Sequence, residues 1–255
     1  MTNTKPVQNM NAPLLIISLE VNTLSRLFEG ILEAFQLIIS LDPDLLHIVF
    51  LSLRVSISAI IIAAILGVPL GAFLGLKPEK KTRFISKMIY TFMGIPPVVG
   101  GLIIYLLLSR QGPLGVLGLL YTPSAMIIAQ VLLATPIITG LSLVGIRAKG
   151  PEIVETARSL GADSILSTWT VVKESRLSIL GAIITGFSRI IAEVGAVMIV
   201  GGNIAGRTRV MTTAIVLETR RGNFELAIGL GIILLILAFV INSLLYNIQK
   251  GGQAN

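Results

Sequence analysis

Apolar residues fill long stretches of this chain, and polar residues gather in short intervals between them. Apolar runs at about 45–76, 85–108, 121–146, 178–202 and 226–248 each meet the roughly 20 residues a helix needs to cross a hydrocarbon core. The pattern predicts an all-α, polytopic membrane protein with about five transmembrane helices. Ahead of them, residues 1–22 read as a mostly polar extension. The apolar run Leu14–Leu19 is too short for the core of a cleavable leader. Leu24, Leu27, Phe28, Ile31, Leu32, Phe35, Ile38 and Ile39 then recur at helical spacing, with Arg26, Glu29, Glu33 and Gln36 between them. That spacing predicts an amphipathic helix at the membrane surface or the bundle's flank. Asp42-Pro43-Asp44 stops it and caps the next helix. The chain therefore divides into an N-terminal extension, 1–44, and a transmembrane domain, 45–250.

Inside the spans, small residues and prolines predict how helices meet and where they break. Ala63, Gly67, Gly71 and Gly75 are spaced by four and form one small-residue stripe in the first span. Pro96 and Pro97 in the second span and Pro136 in the third remove backbone donors, so each is a candidate helix break. Breaks of this kind line pathways in transporters.

Composition agrees with a lipid solvent: 54% of the 255 residues are hydrophobic and 13% are charged. A soluble domain carries about 25% charged residues. The chain has no cysteine and one histidine, His47, which reads as an interfacial residue. Thiolate or His-cluster metal sites are thereby excluded, and no metal or cofactor is expected. No GxxxxGK[ST], HExxH or GxSxG pattern occurs, so the chain itself offers no nucleotide loop and no recognisable catalytic set.

The net charge of +7 is placed in the connections. Loop 77–87 carries five Lys or Arg, and segment 147–177 carries five more. Alternation of the spans puts both segments inside with the C-terminus, and the N-terminus outside. Eleven basic residues then lie inside and seven outside, four of the seven in loop 203–224. Arg54, within the first span, is expected to snorkel to an interface.

Segment 147–177 is amphipathic. Ile153, Val154, Ala157 and Leu160 follow helical spacing around Glu152, Glu155 and Arg158. Gly161 stands where a helix C-terminus needs a left-handed residue. Asp163 can cap a second short helix bearing Ile165, Leu166, Trp169 and Val172. Two short helices about a glycine corner make a compact knob, and an apolar stripe on such a knob calls for a protein partner.

The stretch "ETARSLGADSILSTWTVVKES" resembles the EAA loop of ABC importer permeases, with Glu155, Thr156, Ala157 and Gly161 at the matching positions. Thr156 stands where that family has its first Ala, and Lys173-Glu174 where it has Leu-Pro. "RIIAEVGAVMIVGGNIAGRTRVMTTAIVLETRRGNFELAIGLGIILLILAF" and "MGIPPVVGGLIIYLLLSRQGPLG" resemble oxyanion importer permeases of the tungstate type, with molybdate and sulfate permeases as relatives. The resemblance implies the type I ABC importer permease bundle and a homodimer in a prokaryotic cytoplasmic membrane. It implies two copies of a separate ABC ATPase docked on the loop at Glu155, Thr156, Ala157, Gly161, Ala162 and Asp163, with an extracytoplasmic binding protein delivering substrate. The chain itself would then be a transport subunit and not an enzyme. Tungstate is the expected cargo, with molybdate or sulfate as alternatives; a secondary transporter or channel working without an ATPase is the rival class.

Two polar groups remain in apolar surroundings. Arg189 and Glu193 are four apart on one helical face, which suits an internal ion pair or the lining of an anion path. "GGNIAGRTR" then presents Asn203, Arg207, Thr208 and Arg209 as candidate donors to a passing anion or a docked binding protein.

Overall fold

The computed structural model describes residues 31–251 except 33, 34, 37 and 41. Nine helices follow the extension among the described residues: α1 (Pro43–Leu76), α2 (Glu79–Met93), α3 (Pro97–Leu108), α4 (Pro123–Ser159), α5 (Ser164–Glu174), α6 (Arg176–Ile191), α7 (Gly195–Gly201), α8 (Met211–Arg221) and α9 (Phe224–Gly251). The polar extension over 1–22 and the start of the expected amphipathic helix lie outside the described residues. Residues 31, 32, 35, 36, 38 and 39 are helical, and Ile38 packs onto the cluster of Leu45, Ile48 and Leu230.

α1, α4 and α9 are long and apolar enough to cross a membrane singly, and the pairs α2–α3 and α6–α7 bring the total to five when each pair counts as one span. α1 starts as its sequence demands, since the Asp42 carboxylate accepts the Leu45 N–H at 3.0 Å. Its small-residue stripe is the face that α4 crosses. A Cβ on Gly71 would lie 2.7 Å from the Thr139 carbonyl oxygen, and one on Gly75 2.9 Å from Ile146 Cγ2. In lipid, close contact of this kind holds helices together, because burial from water offers no driving force there.

The first bent span breaks near its middle and the second about two-thirds of the way along. α2 and α3 meet at 99° across Gly94-Ile95-Pro96, and α6 and α7 at 60° across Ala192-Glu193-Val194. Pro96 and Pro97 thus mark a real break. Pro136 does not: α4 runs unbroken for 37 residues, about 55 Å. The Thr135 hydroxyl donates to the Val131 carbonyl at 2.7 Å and the Thr139 hydroxyl to the Thr135 carbonyl at 2.8 Å. The carbonyl that Pro136 leaves without a donor is that of Leu132; these hydroxyls add second bonds to the neighbouring Val131 and Thr135 carbonyls, and the close face of α1 packs along the same stretch. The expected third span and the first helix of the knob are therefore one element. The interval 203–224 is also more than a loop, since α8 occupies half of it and buries Met211 and Ala214 against Leu45, Ile48 and Leu230.

Candidate functional site

The knob forms where α4 ends. Gly161 takes φ +88°, its N–H donates to the Arg158 carbonyl at 3.0 Å, and the Ala162 N–H donates to the Ala157 carbonyl at 2.9 Å. This pair of bonds is a Schellman closure, which satisfies two carbonyls that the helix end would leave open. Asp163 then caps α5, its carboxylate accepting the Leu166 N–H at 2.7 Å. One face of α5 seats Val171 against Ala72, Ile146 and Ile179. The other face points away from the bundle, leaving Ile165 80% and Trp169 65% exposed, and Leu160, just past the end of α4, is 83% exposed. A cavity of about 600 Å³ runs beside them, lined by Ile153, Thr156, Ala157, Leu160, Gly161 and Leu166 among others. Glu155 is exposed and Ala157 buried, so the two present different faces of α4.

At the other break, side chains of α4 and α8 bond residues 190–193, and Ser52 of α1 lies close by. Arg189 pairs with Glu193 at 3.2 Å; Arg189 is 46% exposed and Glu193 5%. The Glu193 carboxylate also accepts the Ala196 N–H at 3.2 Å, at the start of α7, where a negative group complements the helix dipole. Its carbonyl accepts the Thr212 hydroxyl of α8 at 2.8 Å. Gln130 of α4 donates to the Ile190 carbonyl at 3.2 Å. Ser52 of α1 donates to the Ile48 carbonyl and accepts the Met211 N–H at 2.8 Å. The backbone groups freed by the break are thus met by side chains, as a dry interior requires. The Gln130, Ser52 and Thr212 roles were not anticipated. A single Gln inside an apolar run was the available signal, because an amide there needs partners.

The two breaks also touch each other. A Cβ on Gly195 would lie 2.7 Å from Val98 Cγ2, and one on Gly101 2.6 Å from the Ala196 Cα. α3 and α7 therefore dock as a pair of half-helices on the flank of α4.

Beyond α7 the chain turns through Gly202 (φ +69°) and Asn203 (φ +51°). Thr208 is fully buried, accepting the Ile204 N–H at 2.9 Å and donating to the Gly201 carbonyl at 2.6 Å. Its hydroxyl is engaged in closing the turn and is not presented to an anion. The Asn203 amide donates to the Thr213 carbonyl at 3.3 Å. Arg209 lies 3.6 Å from the buried Glu218 carboxylate, which also accepts from Arg221 at 3.2 Å and Asn223 at 3.3 Å. Glu218, the one carboxylate of this interval, thus offsets part of its basic charge through Arg209 and Arg221. Arg207 alone of the four candidates is exposed. Nearby, the Tyr105 and Tyr121 rings meet edge to face at 6.5 Å. A hydrogen bond with Tyr105, then partial burial, raises the Tyr121 phenol above the ordinary tyrosine range. His47 is exposed, and no cluster of metal-ligating residues occurs among the described residues.

A bundle of whole and broken spans, with an amphipathic knob at one end, defines a multi-pass membrane transport subunit. Residues 67–251 match the family described as "Binding-protein-dependent transport system inner membrane component", and the chain belongs to it. It is 44% identical to the tungstate uptake system permease protein TupB of Peptoclostridium acidaminophilum, over 87% of this chain and 97% of that protein. It is 40% identical to a probable anion ABC transporter permease protein of Haloferax volcanii, over 78% of this chain and 88% of that one. A crystal structure of an amino acid ABC transporter shares the fold, with a TM-score of 0.58 at 21% identity, covering 85% of this chain and 97% of that one.

Proposed function

We propose that this chain is the permease subunit of a tungstate importer. Two copies form the pathway, and each presents its knob to one copy of a separate ATPase. The knob lies on the cytoplasmic side, and a binding protein delivers the anion to the opposite face. The single observation that carries the mechanism is the knob itself. Its rigid Schellman corner holds exposed Leu160, Ile165 and Trp169 at the end of a helix that continues into the bundle. Exposed apolar side chains on a rigid corner suit a partner's groove. The 44% identical tungstate permease supports the cargo.

In this reading, closure of the ATPase pair pushes on the knobs and rocks the bundles between two states. Arg189, half exposed beside the break, supplies positive potential to the passing anion, and exposed Arg207 does so at the outer mouth. The test is uptake of labelled tungstate into proteoliposomes holding the permease, its ATPase and its binding protein, with ATP inside. ATP-dependent uptake with tungstate preferred over molybdate and sulfate is expected. Preference for molybdate would reassign the cargo, and uptake indifferent to ATP would overturn the mechanism.

A further inference from the structure

At the knob end of the bundle, a second cavity lies between the last turn of α1, the first turn of α2 and α4. It measures about 410 Å³ and is lined by Lys77, Pro78, Glu79, Arg147, Pro151 and Val154 among others. We propose that this cavity binds the phosphate headgroup of an anionic membrane lipid.

Three observations converge on it. The first is charge. Lys77 and Arg147 face one carboxylate, Glu79, and exposed Lys80, Lys81 and Arg83 follow directly on α2. The second is unsatisfied donor capacity. One Arg147 nitrogen donates to the Leu74 carbonyl at 3.2 Å and to the Thr82 hydroxyl at 3.0 Å, while its Nε is buried with no partner. α2 also begins behind Pro78 with no side chain capping its first turn. A phosphate diester supplies the acceptors that these donors lack. The third is the apolar approach. Ile62, Leu66, Leu70 and Phe73 are exposed at spacings of three and four along α1, and that face ends at Lys77. The Lys77 ammonium sits 3.9 Å from the centre of the Phe73 ring, where the apolar face gives way to charge. An acyl chain along this face leads its headgroup into the cavity.

This inference rests on the proposed orientation, because anionic headgroups are concentrated at the cytoplasmic leaflet. Its test needs neither ATP nor cargo, so failed tungstate uptake leaves it standing. The assembled transporter is placed in nanodiscs of phosphatidylcholine and phosphatidylglycerol, released, and its retained lipid counted by native mass spectrometry. Wild type is expected to retain phosphatidylglycerol, and Lys77→Gln to lower that retention roughly fivefold, the loss of one charge contact near the surface. Arg110→Gln, in the connection between α3 and α4, is expected to leave it unchanged. Arg147→Gln should lower it further, and Lys77→Gln carries the test alone if that variant does not fold. Retention indifferent to Lys77 overturns the proposal. Lys77-dependent binding of inorganic phosphate or tungstate in discs lacking phosphatidylglycerol also overturns it and assigns the cavity to a soluble oxyanion.

Discussion

Gly101 in α3 lies backbone to backbone against Ala196 in α7, so that a Cβ added to Gly101 would come 2.6 Å from the Ala196 Cα. The close approach locks two half-helices from different broken spans into one unit. Gly101→Val is expected to force them apart and destabilise the protein by about 3 kcal/mol, the upper range for overpacking. Gly231→Ala, where nothing lies within 4 Å, is the matched control and should be neutral or slightly stabilising. Thermal unfolding in nanodiscs compares the two; equal midpoints would mean that the docked half-helices contribute nothing.

The Arg189–Glu193 pair is asymmetric in burial, and its two halves should fail differently. Arg189→Gln leaves a buried carboxylate with only the Ala196 N–H, at a cost of about 3 kcal/mol. Glu193→Gln keeps the acceptor for Ala196 and leaves an arginine whose exposed half faces the proposed water-filled path, at about 1 kcal/mol. Unfolding midpoints of the two variants give the order. The reverse order would place the exposed half of Arg189 against lipid and remove it from the pathway.

Gly161 has open space around it, so its constraint is its positive φ and not crowding. Gly161→Asn, which tolerates that conformation, is expected to keep most ATP-driven uptake. Gly161→Val strains the corner by about 1–2 kcal/mol and should lose coupling while membrane insertion stays normal. Equal uptake by both variants would separate the corner's geometry from transport.

Thr208 closes the turn after α7 through both hydrogen bonds of one hydroxyl. Thr208→Val should destabilise by about 1–3 kcal/mol, the cost of leaving buried partners unmet, and Thr208→Ser should restore most of it. Uptake normalised to folded protein is expected to be unchanged in Thr208→Ser. A selective loss of anion affinity there would return this hydroxyl to the pathway.

What was legible in the sequence was local. Asp42, Gly161 and Asp163 act on groups within five residues, so their types and positions disclose the helix ends. Pro96 and Pro97 withhold two adjacent donors. Pro136 looked equivalent, yet α1 packs closely across from it at Gly67 and Gly71, and α4 runs through it unbroken. The break at Ala192-Glu193-Val194 carries no proline. It is held by Gln130 and Thr212, which are distant in sequence, and nothing nearby announces it. α8 was hidden for a related reason: its basic and hydroxylated residues read as a loop, whereas Thr212 and Thr213 are buried. Three of the four suggested anion donors in that interval, Asn203, Thr208 and Arg209, prove to be engaged within the protein.

The continuity of α4 has a mechanical consequence. Gln130, which supports the break at Ile190, and Ser159, which enters the knob, belong to one rod and are separated by about 44 Å at the helical rise per residue. The helix is continuous between them, with Pro136 and Pro151 inside it. Were the rod to pivot at its crossing with α1, a tilt of about 5° would sweep its two ends through a combined arc of roughly 4 Å. Gln130, about 18 Å from the crossing near Ser142, takes roughly 1.5 Å of that arc, enough to stretch its 3.2 Å bond to the Ile190 carbonyl. On the proposed mechanism, the α1 glycine face would then serve as a fulcrum and α4 as a lever arm.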